Sequence, residues 1–119
     1  MRIKHLVLGA LLALLPLAAG ASPEPPWNNP VNCSGTIATG NTAQKIANLP
    51  TPLHGYQLQN LSTDTLYFSD LTSSATSTAG SWQLSASGGS YNSPLGFAPG
   101  GSIYINGLTT GDAYTCEAW

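Results

Sequence analysis

Charge is what this chain has least of. Only 7% of its residues are charged, with three lysines and arginines against five aspartates and glutamates. Arg2 and Lys4 stand at the start, and Lys45 is the sole basic side chain beyond them, apart from histidine. One cation cannot neutralise several phosphates, which excludes nucleic acid and anionic membrane surfaces as partners. The solvated surface must instead be made of Ser, Thr, Asn, Gln and Gly. Helical periodicity is missing too: past residue 21, no window of about twelve residues carries a convincing apolar stripe at helical spacing. Thr42 to Asn48 could form a single helical turn.

Reactive constellations are equally scarce. The histidines are His5 and His54, and the cysteines are Cys33 and Cys116. That is too few ligands for a zinc site once the cysteines are oxidised. No D-x-D-x-D-G cluster offers a calcium loop. The glycine-rich stretches 87–90 and 99–102 lack the lysine and following helix of a phosphate loop, and read as hairpin turns. No G-x-S-x-G elbow positions a nucleophilic serine. His54, within Pro52-Leu53-His54-Gly55, reads as a solvent-facing loop histidine and not as a general base. Glu24, Asp64, Asp70, Asp112 and Glu117 are isolated, and the aspartates fall where turns favour them, so paired carboxylates are not expected. The expectation is a non-enzymatic protein without cofactor or metal.

What is present begins with an export signal. Arg2, Lys4 and His5 form a basic start, Leu6 to Leu15 is an apolar run broken only by Gly9, and Pro16 ends it. Ala19-Gly20-Ala21 then supplies the small residues that a signal peptidase accepts. The run is too short to cross a bilayer, which takes roughly 20 helical residues. Residues 1–21 are therefore read as a signal peptide, with no membrane span after its cleavage. The destination is the periplasm or the extracellular space of a bacterial system.

Residues 22–32 follow as a proline-rich extended arm, since four prolines between Ser22 and Pro30 remove amide donors and fix backbone torsions. Residues 33–119 form the domain. In an oxidising compartment Cys33 and Cys116 pair, tying the first and last segments together. The closed loop of roughly 83 residues should contribute about 4–5 kcal/mol by loss of chain entropy in the unfolded state.

From Cys33 onward the apolar period is two. Tyr56 to Leu61, Thr65 to Ser69, Ser81 to Ser85, Ser102 to Asn106 and Ala113 to Trp119 alternate or concentrate apolar residues as strands do. Thr36 to Ala38 and Gln44 to Asn48 are weaker candidates. Ala113 to Trp119 should turn Tyr114, Cys116 and Ala118 to one face and Thr115 and Glu117 to the other. Turn-forming clusters separate these runs, among them Thr39-Gly40-Asn41, Ser62-Thr63-Asp64, Ser87-Gly88-Gly89-Ser90 and Thr110-Gly111-Asp112. The fold class expected is all-β: a small antiparallel sandwich, Ig-like or jelly-roll-like, of six to eight short strands with one disulfide.

Aromatic residues carry the remaining signal. Three tryptophans and five tyrosines stand out in a chain otherwise poor in large side chains. Trp82, Tyr67, Phe68 and Tyr104 lie within strands and are expected to fill the core. Trp27 in the arm, Tyr91 and Phe97 in turns, Trp82, and the terminal Trp119 are the candidate binding aromatics. Rings bordered by Asn, Ser and Gln suit a protein groove or a glycan.

The C-terminal half resembles small β-sandwich proteins of tailed bacteriophages and prophages. The similarity runs through Leu58-Gln59-Asn60-Leu61-Ser62, Leu66-Tyr67, Leu84 and Pro99-Gly100-Gly101-Ser102-Ile103. It ends in Gly107-Leu108-Thr109-Thr110-Gly111-Asp112-Ala113-Tyr114-Thr115-Cys116-Glu117-Ala118-Trp119. The resemblance implies a virion surface or accessory component engaged in protein contacts. This chain departs from that pattern by its export signal and its cysteine pair. Those point to a virion protein routed through the envelope, or to a phage-derived protein exported by the host.

Overall fold

The computed structural model describes residues 29–71, 75–76, 80–94 and 102–119. The expected signal peptide over residues 1–21, Trp27 and Phe97 lie outside the described residues. Nine strand segments follow one another: β1 (Val31–Asn32), β2 (Gly35–Thr36), β3 (Gln44–Lys45), β4 (Tyr56–Asn60), β5 (Leu66–Ser69), β6 (Trp82–Leu84), β7 (Ser90–Asn92), β8 (Tyr104–Gly107) and β9 (Ala113–Ala118). All pairings are antiparallel.

β1 and β2 keep a single register against β9, Val31 facing Ala118 and Gly35 facing Tyr114, so they are two pieces of one strand. At the interruption the Ser34 hydroxyl accepts the Cys116 amide at 2.9 Å in place of a backbone carbonyl. Counted this way, the first sheet runs β1/β2–β9–β4–β7 and the second β3–β8–β5–β6. Four strands face four, and the chain changes sheet at nearly every connection. That is the winding of a jelly roll, not of an immunoglobulin domain with its three- and four-stranded sheets.

Alternation explains the layers. In β4, Tyr56, Leu58 and Asn60 are buried while Gln57 and Gln59 are exposed. In β9, Tyr114, Cys116 and Ala118 point inward, as their spacing predicted. From the second sheet Leu66, Phe68, Leu84 and Ile105 meet them, joined by Ile37, Ile46 and Ile103 from the flanking loops. Each large apolar side chain so buried contributes about 1.5–3 kcal/mol. Gly107 sits on the same inner face of β8; a Cβ there would stand 2.6 Å from Leu66 Cδ2 and 2.9 Å from Ile37 Cγ1. Glycine there leaves room for the Leu66 side chain of the neighbouring strand and for Ile37.

The expected disulfide is present inside this core. Cys33, between β1 and β2, faces Cys116 of β9 with Cα atoms 4.8 Å apart, and both are buried. Their bond fastens the first edge strand to the last strand in sequence.

Several details differ from the sequence reading. Tyr67 and Tyr104, expected in the core, are half-buried because they alternate with inward residues and face outward from the second sheet, and Tyr91, read as a turn residue, lies in β7. Thr42 to Asn48 makes no helical turn: Gln44 and Lys45 pair with Ile105 and Tyr104. The Gln44 side chain takes part, donating to Thr36 O at 2.9 Å and accepting from the Ala38 amide, so it stitches β3 to the chain leaving β2. Trp82, expected in the core, is 51% exposed because β6 is an edge strand.

Asn60 is the polar centre of the sandwich. Fully buried, it shares its two Nδ2 hydrogens among Asp64 O at 2.7 Å and the Leu84 and Ser85 carbonyls, both at 3.1 Å, and its Oδ1 accepts from the Ser62 amide and hydroxyl. One side chain thus ties the first sheet, the β4–β5 turn and the end of β6 together. Its burial costs little because its bonding capacity is filled.

Candidate functional site

β6 and β7 are edge strands of opposite sheets, each hydrogen-bonded on one side only among the described residues. Trp82 lies opposite Phe68 in the β5–β6 register, and Tyr91 lies opposite Leu58 in the β4–β7 register. Both therefore share the inward-facing side of their sheets, but at the rim. Their rings meet at 5.3 Å between centroids and close the gap between the two sheets. Behind them Phe68 lies 4.9 Å from Tyr91, and Tyr56 lies 5.7 Å from Tyr91 and 6.2 Å from Phe68, edge to face. A continuous aromatic stack runs from the half-exposed Trp82 to the fully buried Tyr56.

The stack ends on a carboxylate. Tyr56 donates its hydroxyl to Asp70 Oδ2 at 2.8 Å, and Asp70 is only 7% exposed. Burial, and then the bond and charge of Asp70, push the Tyr56 phenol far above its ordinary range. Tyr91 is raised as well, by desolvation first and then by the Asp70 charge. Both phenols are consequently held neutral, as hydrogen-bond donors and apolar plates. Asp70 reads from sequence as a turn aspartate; the structure makes it the buried acceptor for a ring from the other sheet. No local pattern signals this, because its partner lies 14 positions upstream across the sandwich.

The structure thus brings Trp82 and Tyr91 together and sets Trp119 apart. Trp119 continues the ladder, exchanging 3.0 Å backbone bonds with Gly55, and its indole covers that glycine so closely that a Cβ would lie 2.6 Å away. It packs. His54 is half-buried beside it, its amide donating to Trp119 O at 2.6 Å. Asp112 serves its turn by accepting the Thr109 amide at 3.1 Å. Among the described residues no three His, Cys, Asp or Glu side chains gather as a metal site would require.

Chemically, the β6–β7 edge offers a rigid indole, unpaired strand edges and neutral neighbours. Such an arrangement can bind. No protein family, curated protein or solved structure matches this chain.

Proposed function

We propose that this chain is an exported, non-enzymatic binding protein, a phage-related surface or accessory component that docks on a protein partner through its β6–β7 edge. The observation that carries the reading is Trp82, half-exposed on an edge strand yet packed against Tyr91 and set opposite Phe68 in the register. A tryptophan fixed by packing loses little freedom on binding, and such residues dominate protein interfaces. The strand edges beside it can add main-chain bonds from an extended partner segment. Neither β6 nor β7 carries a lysine or proline that would discourage such pairing. The disulfide is consistent with an oxidising compartment.

The test is co-purification of the exported chain with virions or with an envelope assembly, followed by cross-linking. Association of the native chain, lost in Trp82→Ala with the fold intact, is the expected result. A monomer without a cross-linked partner in either fraction would sink the reading.

A glycan stacked on the same indole is the second reading. It is favoured by the neutral residues Ser81, Gln83, Ser90 and Asn92 in the two edge segments. Tryptophan fluorescence across a glycan panel separates the two, since silence throughout removes it.

A further inference from the structure

On the outer face of the second sheet, away from the Trp82 edge, β5 and β8 set Tyr67 opposite Asn106. Both side chains alternate with buried residues and so face outward. They line a groove of about 480 Å³ together with Asn41, Asp64, Thr65 and Leu108. Its volume falls within the range of small-ligand pockets.

Three observations define what would fit. Asn106 Oδ1 is buried and is the side-chain acceptor without a hydrogen-bond partner among the described residues. A buried acceptor left alone costs about 1–3 kcal/mol, a cost that a donor from a ligand would relieve. Asp64, fixed by the Thr109 hydroxyl at 2.7 Å, is a second acceptor, since a carboxylate can take several donors. The half-buried Tyr67 ring and Leu108, 62% exposed, supply apolar surface beside them. Among the described residues no cation lines the groove, so phosphate, sulfate or a uronic acid would meet no counter-charge there.

The complementary ligand is neutral, rich in hydroxyl donors, and has an apolar face of carbon-bound hydrogens. We infer that this groove is a saccharide site, in which sugar hydroxyls donate to Asp64 and, once the groove wall yields to the ligand, to Asn106 Oδ1, which is closed to solvent in the free protein, while the pyranose face rests on Tyr67. The comparable groove on the other sheet, floored by Gln57 and Glu117, is a poorer candidate. There no aromatic ring lines the groove to take a sugar face. The inference does not rest on the Trp82 edge or on a protein partner.

The experiment titrates the isotope-labelled exported chain with disaccharides of glucose, galactose, mannose and N-acetylglucosamine, read by amide chemical shifts. Saturable shifts at Tyr67, Asn106 and Leu108 with at least one sugar are expected. Asn106→Leu should weaken that binding about tenfold while thermal stability holds or rises, because an unpaired acceptor is removed. Tyr67→Ala should weaken it by a similar factor. No saturable shift with any sugar up to millimolar concentration would overturn the inference. So would shifts centred on Trp82, or binding that survives both substitutions.

Discussion

Tyr56 and Asp70, on opposite sheets of the sandwich, are joined by a buried hydroxyl-to-carboxylate bond of 2.8 Å. The bond fixes the inner end of the aromatic stack whose outer end is Trp82. Removing the hydroxyl strands a carboxylate oxygen away from water. Tyr56→Phe should therefore cost about 2 kcal/mol in urea unfolding. Tyr91→Phe is the control. Tyr91 is only half-buried, and the change should cost much less.

The same bond predicts how stability responds to alkali. The folded-state pKa of Tyr56 lies above its unfolded value, so ionisation favours the unfolded chain. Its contribution is fully present below about pH 10 and declines above it, by up to about 1.4 kcal/mol per pH unit. Tyr91 and Tyr114, both also raised, add to the decline in the same direction. Urea midpoints measured from neutral pH upward should be flat to about pH 10 and then fall. The fall should be shallower in Tyr56→Phe. An equal slope in that variant would contradict the assignment.

Asn60 supports a sharper contrast. Its Nδ2 faces three backbone carbonyls, of Asp64, Leu84 and Ser85, while Oδ1 serves Ser62. Asn60→Ala leaves those groups without their partner and should destabilise by about 3 kcal/mol. Asn60→Asp keeps the acceptor but places a carboxylate against the carbonyl oxygens. It should be the worse of the two near neutral pH and recover toward low pH, where the acid is protonated and can donate again. Thermal unfolding at two pH values checks both statements.

These residues also mark where sequence reasoning reached its limit. Strand periodicity made β4 and β9 legible, since one buried face imposes alternation that needs no knowledge of the partner. The pairing of Cys33 with Cys116 was legible from the count of cysteines and their positions. Trp82 was not, because burial on an edge strand depends on which strand lies beside it. Asn60 and Asp70 escaped for a related reason. Their polarity matches turns nearby, whereas their partners lie at Leu84 and Tyr56, brought close only by the winding of the chain. The groove around Asn106 is likewise a product of register, which sets Tyr67 beside it. The choice between jelly-roll and immunoglobulin winding needed the strand order, on which alternation is silent.

The disulfide gives the last prediction. Cys33 and Cys116 close a separation of 83 residues, and both are almost wholly inaccessible at 2% and 1% exposure. Chain entropy assigns the closure about 4.5 kcal/mol, a large share of the roughly 5–15 kcal/mol typical of folded domains. Cys33→Ser with Cys116→Ser should lower the stability by up to that amount and leave the β-sheet circular dichroism recognisable in the cold. Because the sulfurs are buried, reductant reaches them only when the edge strand opens. Mild reductant on the native protein should leave the bond intact, whereas the same reductant in urea should cleave it at once. Rapid reduction without denaturant would show that β1 and β2 open from β9 far more readily than their single unbroken register implies.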